Sequence, residues 1–580
     1  MKKNASTLSA RSLENRRRAG HFRMLLKQPV LLALIILIFV ALFIFVLYPL
    51  LNVFRYSIVD ENGAVSLAGI AKILGDSGNR KTFFNSIKLG VTVAVISTFL
   101  GYIFAFAMTR TEIKGKRFFD FIATLPIISP PFVLSLSIIF LFGRQGLITK
   151  GLLGITNSNV YGFWSLVVIQ SISFFPIAYM TLTGILQTID DSVEDAAFNL
   201  GASRGYIFRT VILPLSLPGI ASSMLLVFIQ SLEDFSNPAV LGGDYSTLAV
   251  EAYRIITGMY DMRGGSILAI TLLLPTLTAF ILQKYWVGKK SFVTVSGKPT
   301  QKRRKIHEPH ILMPLQFFCI LVSAIILLLY GTVLCGAFVK TWGVNFQPTL
   351  DHFRYIFALG MRPLWNSIKL ALASAPISGL LGMVIAYLTV RKTFPGKRLM
   401  SFLSVLMFAI PGTVLGIGYV FSFNTPPLVL TGTATILIVA FTFRNIPVAI
   451  ESGSTTLMQI DPSIGEASTV LGASSGTTFK RITLPLLRQA FFSGLVYAFV
   501  RSMTAVSSII FLISPKWSLA TARVFALFES SKYSDAAAYI VLMIVTIMIF
   551  IGGIRFLINF IFNSRYRAER KLQKLQQSAE

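Results

Sequence analysis

The sequence predicts an all-α polytopic membrane protein of about twelve transmembrane helices, arranged as two parallel six-helix repeats. Three observations carry this expectation. Hydrophobic residues make up 54% of the 580 and charged residues only 13%, about half the charged share of a soluble chain. The apolar residues gather into runs of about twenty or more, the length a hydrocarbon core needs. A polar stretch at 189–215, IDDSVEDAAFNLGASRGYIFRTVILPL, returns at 460–486 as IDPSIGEASTVLGASSGTTFKRITLPL.

Residues 1–28 form a basic tail, with Lys2, Lys3, Arg11, Arg16, Arg17, Arg18, Arg23 and Lys27 against the single acid Glu14. The apolar run near 29–52 is longer than a signal-peptide core and lacks a small-residue cleavage site, so it should stay as a span. Further spans fall near 84–109, 119–143, 161–187, 213–235 and 265–287, completing a first half at 29–287. A basic linker at 288–310 leads into a second half at 311–562. Its spans lie near 311–338, 366–390, 399–423, 431–455, 486–510 and 536–562, before a basic tail at 563–580.

Alternating sides from a cytoplasmic N-terminus puts the basic loops on one face. These carry Arg110, Lys114, Lys116 and Arg117, then Lys302 to Lys305, then Arg391, Lys392, Lys397 and Arg398. The loops assigned outside are sparser in Lys and Arg, as the positive-inside rule requires. Both termini and both polar stretches then face the cytoplasm. The same rule accounts for the formal net charge of +29. Basic residues flank the spans instead of gathering on one domain, so no nucleic-acid partner is expected.

The repeat extends past the polar stretches. NSIKL at 85–89 recurs at 366–370, and Gly115-Lys116-Arg117 recurs as Gly396-Lys397-Arg398. The offset is 281 for these and 271 for the polar stretches, because the segment at 144–162 is longer than its counterpart. Six spans per unit keep both units in the same orientation, related by an axis along the membrane normal.

Each polar stretch reads as a short helix, a break and a second short helix. Ser192 and Ser463 precede an acid by three residues, Asp195 and Glu466, which is capping-box spacing. Gly201 and Gly472 supply the permissive backbone where the helix should stop. Pro214 and Pro485 open the next apolar run, where a missing N–H costs little. An acid followed by Ala, then Gly, then Leu-Pro resembles the EAA loop of importer-type ABC transporter permeases. The resemblance implies that Asp195, Ala196, Gly201 and Pro214, with Glu466, Ala467, Gly472 and Pro485, belong to two coupling helices that dock on ATP-binding subunits. Asp195 stands where the family usually has Glu, and Ser468 where it has a second Ala, so unequal docking is expected.

The chain carries no chemistry of its own that would drive transport. There is no GxxxxGK[ST] phosphate loop, so it is not expected to be an ATPase. His21, His307, His310 and His352 all lie in tails or loops, and no metal site or cofactor is expected. Cys319 and Cys335, sixteen residues apart in one span, are too far apart to bridge within it. Within the spans lie Arg444, with Glu451 on the same helical face, Arg501, and Glu233 with Asp234; Gln230 matches Arg501 in the repeat. Charges in lipid face a cavity or one another. They suit a translocation path of unequal lining, or an ion pair that fixes the packing of the two halves.

The whole chain resembles the ferric-iron-type permeases of binding-protein-dependent ABC importers, with SLEDFSNPAVLGG at 231–243 and GKKSFVTVSGKP at 288–299 as softer matches. The resemblance implies a MetI-like, type I importer fold in a bacterial cytoplasmic membrane. It also implies two ATP-binding subunits, an extracytoplasmic substrate-binding protein, and ferric iron as cargo. Relatives of similar layout carry phosphonates, sugar phosphates or thiamine, and the two arginines would suit an anion or iron with a bound anion. In this family the fifth and eleventh spans approach the central axis, which would bring Arg501 to Glu233 and Asp234. An ion-gradient-driven secondary transporter would leave the twin loops without a role.

Overall fold

The computed structural model describes residues 29–60, 63–287 and 305–577. The basic tail 1–28, residues 288–304 of the linker and the last three residues lie outside the described residues. Within them, 11 helices are long and apolar enough to cross a membrane. In chain order they are Pro29–Ile58, Ser77–Arg110, Val133–Leu152, Phe163–Thr188, Arg204–Glu233, Met262–Val287, Pro309–Ala337, Asp351–Arg391, Ala434–Gln459, Gly476–Thr504 and Tyr533–Ile558. The remaining pass, the ninth, is the pair Lys397–Leu406 and Gly412–Phe423.

The third and ninth passes differ from the unbroken spans expected. The third consists of Lys116–Ile128 and Val133–Phe142, and the ninth breaks at the corresponding place. Pro130-Pro131 and Pro411 sit in the gaps. Proline cannot donate to the helix ladder and disfavours a helical residue before it, so both passes break where it falls. The eleventh pass, expected to reach 510, ends at Thr504. A Cβ on Gly412 would lie 2.3 Å from Ser507 Oγ and 2.9 Å from the Ser508 nitrogen. The segment after Thr504 thus turns in against a glycine face that admits bare backbone.

The halves exchange their first spans. The first span lies along Gly412–Phe423 of the second half: Tyr419 donates to the Phe45 carbonyl at 2.8 Å, Asn52 donates to Ser422 at 2.8 Å, and Tyr56 stacks on Phe421 at 4.2 Å. The seventh span lies reciprocally along Val133–Phe142. There Ser137 donates to the Leu329 carbonyl at 2.7 Å, and a Cβ on Gly336 would lie 2.1 Å from the Phe140 ring. One apolar core accordingly joins spans two to five with Cys319, Ile326 and Leu329 of the seventh. A larger one joins the second half with Ile35, Ile38 and Leu42 of the first span and Leu268 and Leu272 of the sixth. Among the described residues, the sheet structure is one antiparallel hairpin, Val339–Thr341 with Asn345–Pro348.

Candidate functional site

The two repeated loops fold alike. Helices Asp191–Asn199 and Pro462–Val470 each end at a glycine of positive φ, +85° at Gly201 and +80° at Gly472. The stop is closed the same way twice: Ala202 N–H donates to the Ala197 carbonyl and Ala473 N–H to the Ser468 carbonyl, both at 3.1 Å. Ser203 and Ser474 then cap the second short helices, accepting from Tyr206 N–H at 3.3 Å and Thr477 N–H at 3.2 Å.

Two local expectations need correction. The first helices are capped not by Ser192 and Ser463 but by Asp190 and Asp461, whose carboxylates accept from the serines' N–H groups, each at 2.9 Å. An aspartate outside the helix end reaches a free N–H that a serine within the first turn cannot. Ser463 N–H also holds the Asp461 carboxyl below the usual carboxylate range. Pro214 and Pro485 do stand in the first turns of α-helices Leu213–Glu233 and Leu484–Thr504, but no break precedes them. The chain is helical from Arg204 to Glu233 and from Gly476 to Thr504, with a wider π turn just before each proline, Phe208–Ile212 and Phe479–Thr483. Such a turn absorbs the carbonyl that proline leaves without a donor.

Both loops present apolar side chains at matched positions. Leu200 is 89% exposed and Leu471 87%, and Val193 and its counterpart Ile464 are also exposed. Ala196, Gly201, Pro214, Ala467 and Gly472 are exposed around them, while Asp195 is half-buried. The Glu466 side chain lies outside the described residues. Each loop thus exposes two large apolar side chains at positions matched by the repeat.

Each loop is tied to the bundle by an arginine at the end of the second span of its half. Arg110, 2% exposed, donates to the Leu186 carbonyl at 2.9 Å and pairs with Glu194 at 2.6 Å. Arg391 donates to the carbonyls of Leu457 and Ile460 at 2.7 and 2.5 Å. Gly465 occupies the position of Glu194 in the second copy, so only the first loop has this carboxylate. Arg204 adds a tie from the first loop to Glu308, at 3.2 Å, where the second half begins. The sequence pointed to Arg110 and Arg391 as topology signals only; their shared offset of 281 was the signal that they share a role.

One acid and one base within the spans meet where the halves join. Glu233, the last residue of its helix and 5% exposed, pairs with Arg444 at 2.6 Å. Arg444 also donates to the Met407 carbonyl at 3.0 Å and to that of Ile410. Gln230 donates weakly to Glu233 at 3.4 Å. The expected partner, Arg501, reaches Glu233 only through its longer-range charge. The reason is packing: Ile229 lies against Ala409, so the break in the ninth pass and the tenth span face the end of the fifth. Asp234 is not in this junction. It accepts from Gln170 at 2.8 Å, from the Asn237 side chain at 2.7 Å and from Ser236 N–H at 3.0 Å, fixing the turn that follows the span. Glu451 does not join Arg444; its charge interacts with Lys284 of the first half. Among the described residues no group of three or more His, Cys, Asp or Glu could hold a metal ion.

A family model described as the binding-protein-dependent transport system inner membrane component matches the chain twice, over residues 97–291 and 378–568. A ferric transport system permease protein, FbpB, from Actinobacillus pleuropneumoniae is 38% identical over 536 residues, covering 89% of this chain and 76% of that protein. A putative ferric transport system permease protein, FbpB 1, from Haemophilus influenzae is 38% identical over 504 residues, covering 83% of this chain and 78% of that protein. The molybdenum transport system permease protein ModB of Escherichia coli is 27% identical over 213 residues, covering 36% of this chain and 92% of that protein.

Proposed function

The chain belongs to the binding-protein-dependent transport system inner membrane components, and from that premise we propose that it is the ferric-iron permease of an ATP-driven importer. The observation that carries the proposal is the pair of matched, exposed leucines, Leu200 and Leu471, each beside a glycine-stopped helix. Two such surfaces on one chain call for two ATP-binding subunits, one per loop. Relatives named for ferric transport, covered over more than three quarters of their length, support the cargo.

In this reading the loops and both termini face the cytoplasm, and an extracytoplasmic binding protein delivers iron to the other side. ATP-driven closure of the two subunits moves the docked loops. Arg110 holds the first loop to the ends of spans two and four, and Arg391 holds the second to spans eight and ten. Displacement of a loop therefore becomes displacement of whole spans. A tie made of charge-assisted hydrogen bonds, buried at Arg110 and partly buried at Arg391, is stiff enough to carry it. Native mass measurement of the complex purified with its ATPase tests the proposal: one chain with two ATP-binding subunits is expected, and loss of one subunit on Leu200→Asp or Leu471→Asp. A complex that keeps both subunits in both variants would refute the docking role.

A further inference from the structure

The Glu233–Arg444 pair is an ion pair between the two halves. Its acid comes from the fifth span and its base from the tenth, and the repeat places Thr504 and Ser173 at the matching positions, so no second copy of the pair exists. Arg444 binds carbonyls of Met407 and Ile410 in the gap of the ninth pass. These are carbonyls at a helix end, without an intrahelical donor. Two residues past Glu233 an aromatic cluster begins: Phe235 against Tyr253 and Phe525 at 5.0 and 5.7 Å, Phe132 stacked on Phe525 at 5.9 Å, and Tyr253 on Phe511 at 5.6 Å. One polar atom here is not accounted for. Glu233 Oε1 is buried and has no hydrogen-bond partner, although a buried carboxylate oxygen normally has one.

We propose that Glu233 is a cation contact on the translocation route, held at rest by Arg444, so that the pair is a latch between the halves which a hard multivalent cation releases. The proposal rests on the importer reading and adds the residue at which cargo acts. Carboxylate oxygen is a hard ligand, and Oε1 offers lone pairs with no contact to break. A multiply charged cation attracts the carboxylate more strongly than a single guanidinium does at the same distance. When Glu233 turns to the cation, Arg444 keeps its two carbonyls, so the released guanidinium is not left without acceptors. Asp234 cannot serve as a second ligand without breaking its bonds to Gln170 and Asn237. A lone carboxylate suits passage, because a conducting site must bind weakly enough to let go.

The test uses the complete complex with its ATPase and binding protein in proteoliposomes. Cys319 and Cys335 are replaced by Ala, and Thr504→Cys reports access from the binding-protein side to a membrane-impermeant thiol reagent. Glu233→Asp keeps the carboxylate but is one methylene too short to hold Arg444. Without cargo, its labelling should rise about tenfold, the effect of losing one hydrogen bond between charged groups, and its uptake of ferric iron should fall but stay well above that of Glu233→Gln. Glu233→Gln should show the same rise and lose uptake as well. Unchanged labelling in both variants overturns the latch. Equal uptake in Asp and Gln variants overturns the cation contact. The resting label needs no cargo, so a wild-type complex that imports no iron would refute the cargo assignment separately.

Discussion

Replacing Gly201 or Gly472 by valine isolates the role of the helix stops. Both have positive φ, +85° and +80°, and a Cβ added at either would meet nothing within 4 Å. The cost of substitution is therefore all backbone. A β-branched residue in the left-handed region loses about 1–2 kcal/mol, which lowers the population of the native stop about tenfold. The helix ending there has only nine residues in the first loop, too few to hold its shape alone. The loop should therefore lose its fixed presentation while the spans stay inserted. Asparagine is the control, since it tolerates this backbone region far better than valine. The assay is iron imported per ATP hydrolysed by the reconstituted complex. Valine at either site should lower the ratio severalfold, and asparagine should lower it much less. If valine and asparagine variants match the wild type, the glycine stops do not shape the coupling surface.

Leu200→Ser and Leu471→Ser should each weaken ATPase binding by about tenfold to a hundredfold, the worth of one fully buried leucine; titration of the purified ATPase subunit checks this. Arg110→Ala removes both the ion pair to Glu194 and the bond to the Leu186 carbonyl and should cost about 3 kcal/mol. Arg391→Ala removes bonds to carbonyls only and should be milder, a difference that thermal unfolding of the purified chain reads directly. Asp234→Ala should destabilise the turn after the fifth span by several kcal/mol without altering cargo preference, as seen in melting and in competition between ferric iron and molybdate for uptake.

Much of the fold could be read from the sequence because it rests on long-period signals. Apolar run length gave the passes, basic residues gave their ends, and the repeat gave the two halves. The glycine stops were legible because positive φ leaves few residue choices. The breaks in the third and ninth passes were not anticipated, although Pro130 and Pro411 marked them, because apolar content alone continues across a proline. The caps at Asp190 and Asp461 were missed in favour of a serine spacing that fits equally well on paper. The partner of Glu233 could not be read either. Arg444 and Arg501 are both basic and both in apolar spans, and only the crossing of the fifth span over the ninth-pass break decides between them. The exchange of first spans between the halves leaves no mark in either span's own composition, since both partners are apolar.

The most direct test of the account is uptake of radioactive iron into proteoliposomes, comparing the chain alone with the chain assembled with its ATP-binding subunits and loaded binding protein. The account predicts no uptake by the chain alone under any ion gradient, and uptake by the full assembly that depends on ATP and falls in the Gly201→Val and Gly472→Val variants. Iron uptake by the chain alone, driven by a proton or sodium gradient, would contradict it.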